Sequence, residues 1–90
     1  MRVPAYSGQF KRDARAAEKR GKEISKLRSL MTLLIDDTPL PASYLDQPLK
    51  GHMRSFRDAH IEPDWLLVYK IDGDTVRFER TGRHADLFDE

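Results

Sequence analysis

Arg54-Ser55-Phe56-Arg57-Asp58-Ala59-His60-Ile61, Trp65-Leu66-Leu67-Val68-Tyr69-Lys70-Ile71 and Thr75-Val76-Arg77-Phe78-Glu79-Arg80-Thr81 follow one another with only Glu62-Pro63-Asp64 and Asp72-Gly73-Asp74 between them. From Met53 the side chains change character with a period of two. That spacing sets Arg54, Phe56, Asp58 and His60 on one strand face and Met53, Ser55, Arg57, Ala59 and Ile61 on the other. Glu62 and Pro63 make a turn. Trp65 to Ile71 is apolar almost throughout and suits a central strand buried on both faces. Asp72-Gly73-Asp74 is a tight hairpin signal, because Gly and Asp tolerate the backbone angles that two-residue turns require. Thr75 to Thr81 forms the last strand, Gly82 ends it, and Arg83 to Phe88 has the length of a single helical turn.

Upstream the period lengthens. Arg2 to Tyr6 is extended in character and Ser7 is a residue type that caps helices. Phe10, Ala14 and Ala17 then fall on one helical face, with Lys and Arg on the other. Gly21 punctuates. Ile24, Leu27, Met31, Leu34 and Ile35 give a second amphipathic helix, stopped by Asp36, Asp37 and Pro39. The pair reads as a helical hairpin with one apolar seam. Asp36 to Pro48, with Pro39, Pro41 and Pro48, reads as a linker. The fold class is therefore α+β: an N-terminal strand and a helical hairpin packed on a mostly antiparallel sheet, with a short C-terminal helical turn. Ninety residues rarely divide into two cores, so residues 1–90 read as one domain. A sheet covered on one side leaves the other side for a ligand.

Composition removes several classes of function. The chain has no cysteine, which excludes disulfide scaffolds and thiolate zinc sites. Its longest apolar runs, Met31 to Ile35 and Trp65 to Tyr69, are far short of the roughly 20 residues that span a bilayer. The N-terminus carries Arg2, Pro4, Tyr6 and Gly8 in place of an apolar signal core, so a cytoplasmic protein without a membrane partner is expected. A net charge of +1 argues against a nucleic-acid partner only until it is divided by position. Residues 1–35 hold nine basic against three acidic side chains, a net +6, and leave −5 for the remainder. Within that remainder Lys50, Arg54 and Arg57 cluster with His52, and Arg77, Arg80 and Arg83 recur near the end. Clustered Lys and Arg create a local potential that a chain-wide sum averages away, although a solvated helix face has the same composition.

The three histidines, His52, His60 and His84, show no metal-ligand spacing, so no metal and no cofactor is expected. Asp58, His60 and Asp64 instead sit across one strand-to-turn junction, with His84 just past the last strand. If the three C-terminal strands are antiparallel neighbours, these groups meet at one end of the sheet. Two imidazoles, carboxylates and arginines together meet the needs of phosphodiester cleavage: a base for the nucleophile, an acid for the leaving oxygen, and cations for the phosphorane charge. The same residues also suit a structural use, His60 and His84 as caps and Asp64 as an acceptor for turn amides, and spacing leaves the two readings open. Trp65 and Tyr69 belong to the core. Phe88, in a polar tail with Asp86, Asp89 and Glu90, is placed to stack on a nucleobase or to dock on the sheet.

Tyr6-Ser7-Gly8-Gln9-Phe10, Leu30-Met31-Thr32-Leu33-Leu34-Ile35, the ten residues Phe56 to Trp65, and Phe78-Glu79-Arg80-Thr81-Gly82 with His84 and Leu87-Phe88 resemble the YafQ branch of the RelE/ParE toxin superfamily. The resemblance runs nearly end to end. It implies a RelE-like α+β domain and a toxin of a bacterial type II toxin–antitoxin pair. Such a toxin enters the A site of the 70S ribosome, against 16S rRNA, and cuts the mRNA there. The chemistry implied is metal-independent attack by the 2′-hydroxyl. Carried over by position, the active-site residues are His60, Asp64, His84 and Phe88, with Arg80 and Asp58 beside them and Lys50, Arg54, Arg57 and Arg83 around them. His84 is the implied general acid, His60 and Asp64 assist the 2′-hydroxyl or the transition state, and Phe88 holds the base. Lys11, Arg12, Arg15, Lys19 and Arg20 form the implied ribosomal RNA contact.

Two positions depart from the pattern. Relatives usually carry histidine in the catalytic set where this chain has Gln47, within Asp46-Gln47-Pro48. A glutamine amide donates hydrogen bonds but transfers no proton at neutral pH, so substrate binding would survive while the chemical step weakens. Either His52 or another group compensates, or Gln47 is an inactivating change. Met53 stands where relatives often have an aromatic. The implied partners are a cognate antitoxin, the ribosome with its mRNA, and operator DNA only through the antitoxin. A ParE-like inhibitor that binds DNA gyrase without cutting RNA is the alternative, and imidazoles at the sheet edge favour cleavage over it.

Overall fold

Ser7 starts the first helix as its residue type requires. Its Oγ accepts the Phe10 N–H at 2.8 Å and donates to the Glu79 carbonyl at 2.6 Å, so one hydroxyl both caps the helix and ties it to a strand far along the chain. The computed structural model describes residues 1–88; Asp89 and Glu90 of the acidic tail lie outside the described residues. In chain order the elements are β1 (Val3–Tyr6), α1 (Gly8–Lys19), α2 (Ile24–Ile35), a 3-10 turn at Ala42–Tyr44, β2 (Gln47–Pro48), a 3-10 turn at Gly51–Met53, β3 (Arg57–Glu62), β4 (Trp65–Asp72), β5 (Thr75–Gly82) and α3 (His84–Phe88).

The strands form one five-stranded sheet in the order β1-β5-β4-β3-β2. β3, β4 and β5 are antiparallel neighbours, as the three quoted runs predict, and β4 lies at the centre. The N-terminal strand joins at the far side, parallel to β5, with Val3 opposite Thr75 and Tyr6 opposite Phe78. The sheet is thus mixed. Beyond Tyr6 the edge of β5 has no strand partner among the described residues, and Asp13 of α1 takes its place. The Asp13 carboxylate accepts the Thr81 N–H at 3.2 Å and pairs with the Arg80 guanidinium at 2.6 Å.

Alternation along β4 divides its side chains between two faces. Trp65, Leu67 and Tyr69 join Phe10, Ala17, Leu27, Leu30, Leu34, Ala59, Val76 and Phe78 in the core beneath the helices. Trp65 also donates its indole N–H to Thr81 Oγ1 at 3.0 Å, so its polar edge is satisfied inside the core. The helices direct their apolar residues at the sheet more than at each other. A groove lined by Phe10, Ala14, Ile24, Leu27 and Met31 runs between them along the apolar seam expected of the hairpin.

Two expectations change. The linker contains a strand: β2 is only two residues long, with Gln47 opposite Asp58 and Pro48 opposite Arg57. The alternating run starts later than Met53, because Gly51 adopts φ of +71°, outside the range comfortable for a side chain, and turns the chain at Gly51–Met53. The Phe56 N–H then bonds the Met53 carbonyl and the Leu49 N–H bonds the Phe56 carbonyl, which closes the base of a loop. Phe56 lies under the Lys70 ammonium, 5.6 Å from ring centroid to Nζ. Leu66 and Val68, which face away from the helices, are also buried. The second face is therefore not bare, and what remains open on it is a cleft between this loop and α3.

Candidate active site

The end of β3, the start of β4 and the end of β5 lie at the same end of the sheet, and α3 begins immediately past it. Asp64, in the β3–β4 turn, accepts two hydrogen bonds on one oxygen, from the His84 backbone N–H and from His84 Nδ1, both at 3.1 Å. The backbone bond caps the first turn of α3. Together these bonds hold the Asp64 carboxyl below its ordinary pKa, the backbone donor contributing most. With Nδ1 carrying the proton shared with Asp64, Nε2 is the nitrogen of His84 left for proton transfer. The His60 ring lies 5.9 Å from that of His84 and the Phe88 ring 6.0 Å from it on the other side, centroid to centroid. Spacing along α3 brings Phe88 under His84, since side chains four residues apart share a helical face.

The cleft beside these rings holds about 560 Å³ and is lined by Gln47, Pro48, Leu49, Lys50, His52, Met53, Asp58, His84 and Phe88. Asp58 is only 3% exposed and its Oδ1 has no hydrogen-bond partner among the described residues. Burial raises the Asp58 carboxyl pKa, partly offset by the His60 ring, the Gln47 amide and the His84 ring. His60 Nδ1 is a second buried polar atom without a partner among those residues. Asp58 and His60 share one face of β3, so the strand concentrates two unsatisfied groups at one place. Buried polar atoms are rarely left in this state, and clefts where they are left so are where ligands bind.

The arginines expected around the site divide. Lys50 lines the cleft. Arg57, one residue before Asp58, points to the opposite side of β3. Its Nε and Nη2 bond the Asp46 carboxylate at 3.0–3.2 Å, and the Tyr69 hydroxyl donates to the same carboxylate. Arg80 is held by Asp13 and lines a different hollow with Arg20, Thr81 and Asp86. Arg83 pairs with Asp86 at 3.3 Å, and Arg54 is exposed outside the cleft. On the first helix Lys11, Arg12, Arg15 and Lys19 are exposed, whereas Arg20 reaches Asp86 at 3.0 Å. Lys22 and Lys26, which added to the positive count, share the single carboxylate of Glu62.

A family model for a bacterial toxin of type II toxin–antitoxin systems, YafQ, matches residues 2–89. The chain belongs to the YafQ toxin family. It is 57% identical over 84 residues to the mRNA interferase toxin YafQ of Escherichia coli K12, covering 92% of this chain and 91% of that protein. The crystal structure of YafQ from E. coli BL21(DE3) superposes with a TM-score of 0.93 at 54% identity, covering 98% of this chain and 99% of that one. YafQ in the E. coli DinJ–YafQ complex superposes with a TM-score of 0.92, at 54% identity and the same coverage. The compact α+β architecture is thus the YafQ fold.

Within this YafQ-family chain the groups missed at sequence level are acidic: Asp13, Asp46, Glu62 and Asp86. Asp86 had a local signal. It lies three residues after Arg83, the residue before α3, and accepts the Arg83 backbone N–H at 3.2 Å, as the third helical residue does in a capping box. It also bonds the Arg83 and Arg20 side chains, which lowers its pKa to about 2, Arg83 contributing most. Asp86 therefore ties α3, with His84 and Phe88, to the end of α1. Asp46 had no local signal, because its partner Arg57 lies 11 residues away, and for Asp13 the local bond from Gln9 gave no hint of Arg80 and Thr81, 67 and 68 residues on.

Proposed function

We propose that this chain is a ribosome-dependent endoribonuclease toxin that cleaves mRNA in the ribosomal A site and is neutralised by a cognate antitoxin. The observation that carries this reading is the Asp64–His84–Phe88 arrangement beside a cleft that also holds Lys50 and Asp58. A nucleotide stacked on Phe88 would present its phosphate to His84. The 2′-hydroxyl gives up its proton to a base at the cleft as its oxygen attacks phosphorus, and the bond to the 5′-oxygen breaks. Protonated His84, held by Asp64, gives its proton to that leaving oxygen, which yields a cyclic phosphate and a 5′-hydroxyl. The bond from Nδ1 to Asp64 fixes the His84 ring and leaves Nε2 to carry the proton that the acid role needs. His60, next to His84, supports the charge of the transition state, and Lys50 offers a cation to the phosphorane oxygens. No metal takes part in the proposed reaction. The name mRNA interferase carried by the E. coli relative supports the same class.

Gln47 faces Asp58 in the cleft and binds without transferring a proton, so the chain is proposed to be a weaker enzyme than one with histidine there. Lys11, Arg12, Arg15 and Lys19 offer an exposed basic face to ribosomal RNA, where each neutralised phosphate adds salt-dependent affinity. The working compartment is the cytoplasm, and operator DNA is reached only through the antitoxin. Primer extension on translating ribosomes tests the reading. Position-specific cuts are expected that require translation and fall by about 10²–10⁴-fold in His84→Ala, the range for loss of a general acid. Absence of cuts, with Gln47→His as well as with the parent chain, would refute it and favour inhibition by protein binding.

A further inference from the structure

Cleavage by a 2′-hydroxyl moves two protons, one off the nucleophile and one onto the leaving oxygen, and two side chains that titrate near neutral pH serve it best. Of the residues lining the cleft, two are imidazoles: His84 and His52. His60 does not line it. Its ring lies 5.9 Å from that of His84, behind the cleft lining, and its Nδ1 is buried. Gln47 has no titratable group, and Asp58 is nearly inaccessible.

His52 sits at the tip of the loop that the Leu49–Phe56 bond closes, in the turn made by Gly51, and its side chain is exposed. Lys50 is two residues before it on the same cleft. His84 and Phe88 come from α3, on the other side. The cleft thus has one imidazole on each wall, one paired with a carboxylate and one facing solvent. An acid and a base on opposite walls can serve the leaving oxygen and the nucleophile of a single displacement.

We propose that His52 is a catalytic residue of this chain, the base that takes the 2′-hydroxyl proton while His84 gives one to the 5′-oxygen. The P–O2′ bond forms as the P–O5′ bond breaks, and the two imidazoles exchange protonation states and reset through solvent. This assignment rests on the ribonuclease reading. It makes the loop at Gly51–Met53 part of the active site, and it gives a chain with glutamine at position 47 a complete acid–base pair.

The test is single-turnover cleavage on programmed ribosomes by the full chain and its His52→Gln, His84→Ala and His52→Gln/Gln47→His variants, between pH 5.5 and 8.5. His52→Gln is expected to lower the saturating rate by about 10²-fold or more, as loss of a general base does, and to remove the acidic limb of the pH–rate profile. The protein concentration giving half the maximal rate should change less than threefold. Histidine at position 47, on the same cleft, should restore at least tenfold of the rate. A saturating rate within threefold of the parent, a loss confined to the half-saturating concentration, or a loss that Gln47→His does not reverse would each overturn the assignment. If the parent chain itself makes no cuts, the ribonuclease reading fails first; cuts abolished by His84→Ala but untouched by His52→Gln refute His52 alone.

Discussion

Asp46 precedes the shortest strand of the sheet, and replacing it by alanine should reveal how that strand is kept in place. Its carboxylate receives the Arg57 guanidinium through three contacts at 3.0–3.2 Å and the Tyr69 hydroxyl. The two partners differ in worth. The Arg57 side chain is 39% exposed, so solvent takes over much of that pairing when Asp46 is lost, and the loss is below about 1 kcal/mol. Tyr69 is 2% exposed, and burial, with the Asp46 carboxylate beside it, pushes its hydroxyl well above the usual phenol range. Leaving that hydroxyl without an acceptor costs about 1–3 kcal/mol. Asp46→Ala should therefore cost about 2–3 kcal/mol, a fall of roughly 10–20 °C in Tm for a domain of this size. Tyr69→Phe removes the stranded group, so its presence should make Asp46→Ala cheaper. Urea and thermal denaturation of the two single variants and the double variant measure the coupling, which should be about 1 kcal/mol or more. Additivity within about 0.5 kcal/mol, the range seen for independent sites, would refute the clamp.

Two other outcomes follow from the carboxylates near the cleft. Asp58→Asn should stabilise the fold at pH 7, because it removes a charge that burial disfavours. The sign follows from the raised pKa: the folded state holds its proton longer, so the parent loses stability as pH rises through the unfolded and then the folded pKa, and Asp58→Asn should abolish that loss in denaturation curves measured from pH 3 to 7. Asp86 behaves in the opposite sense. Its pKa is lowered from 3.8 to about 2, so the stability contributed by its bonds to Arg83 and Arg20 is complete above about pH 4 and is lost only as pH falls towards 2. Asp86→Asn should lower the Tm at pH 7 more than at pH 2, measured by thermal denaturation; an equal effect at both pH values would show that the Asp86 charge does not hold the helix.

Those elements whose patterning is local were legible in the sequence. The hairpins of β3, β4 and β5 follow from alternation and turn residues, and α1 from a serine cap and three apolar positions, because each signal and its consequence lie within a few residues. The meeting of Asp64 with His84 also followed, since antiparallel order is enough to bring a turn and a strand end together. β2 was not legible. Two residues, one of them proline, carry no periodicity, and the strand is pinned by the Asp46 partners on β3 and β4. The destinations of Arg57 and Arg80 were hidden for a related reason. Charge clustering in sequence marks where positive potential is possible, but on a strand successive side chains point to opposite faces, and a distant aspartate decided where each guanidinium went.

The parallel pairing of β1 with β5 sets an order of assembly. The first strand has nothing to pair with until Thr75 to Phe78 exist, and the Ser7 and Asp13 contacts wait for Glu79 to Thr81. The first strand can settle only when residues about 70 positions further on are in place, and such long-range closure slows folding. α3 comes after even that, so His84 and Phe88 are among the last side chains to find their places. The candidate site therefore draws on segments that follow the closure of the sheet, and a chain cut short before Thr81 would lack both a settled first strand and the His84–Asp64 pair.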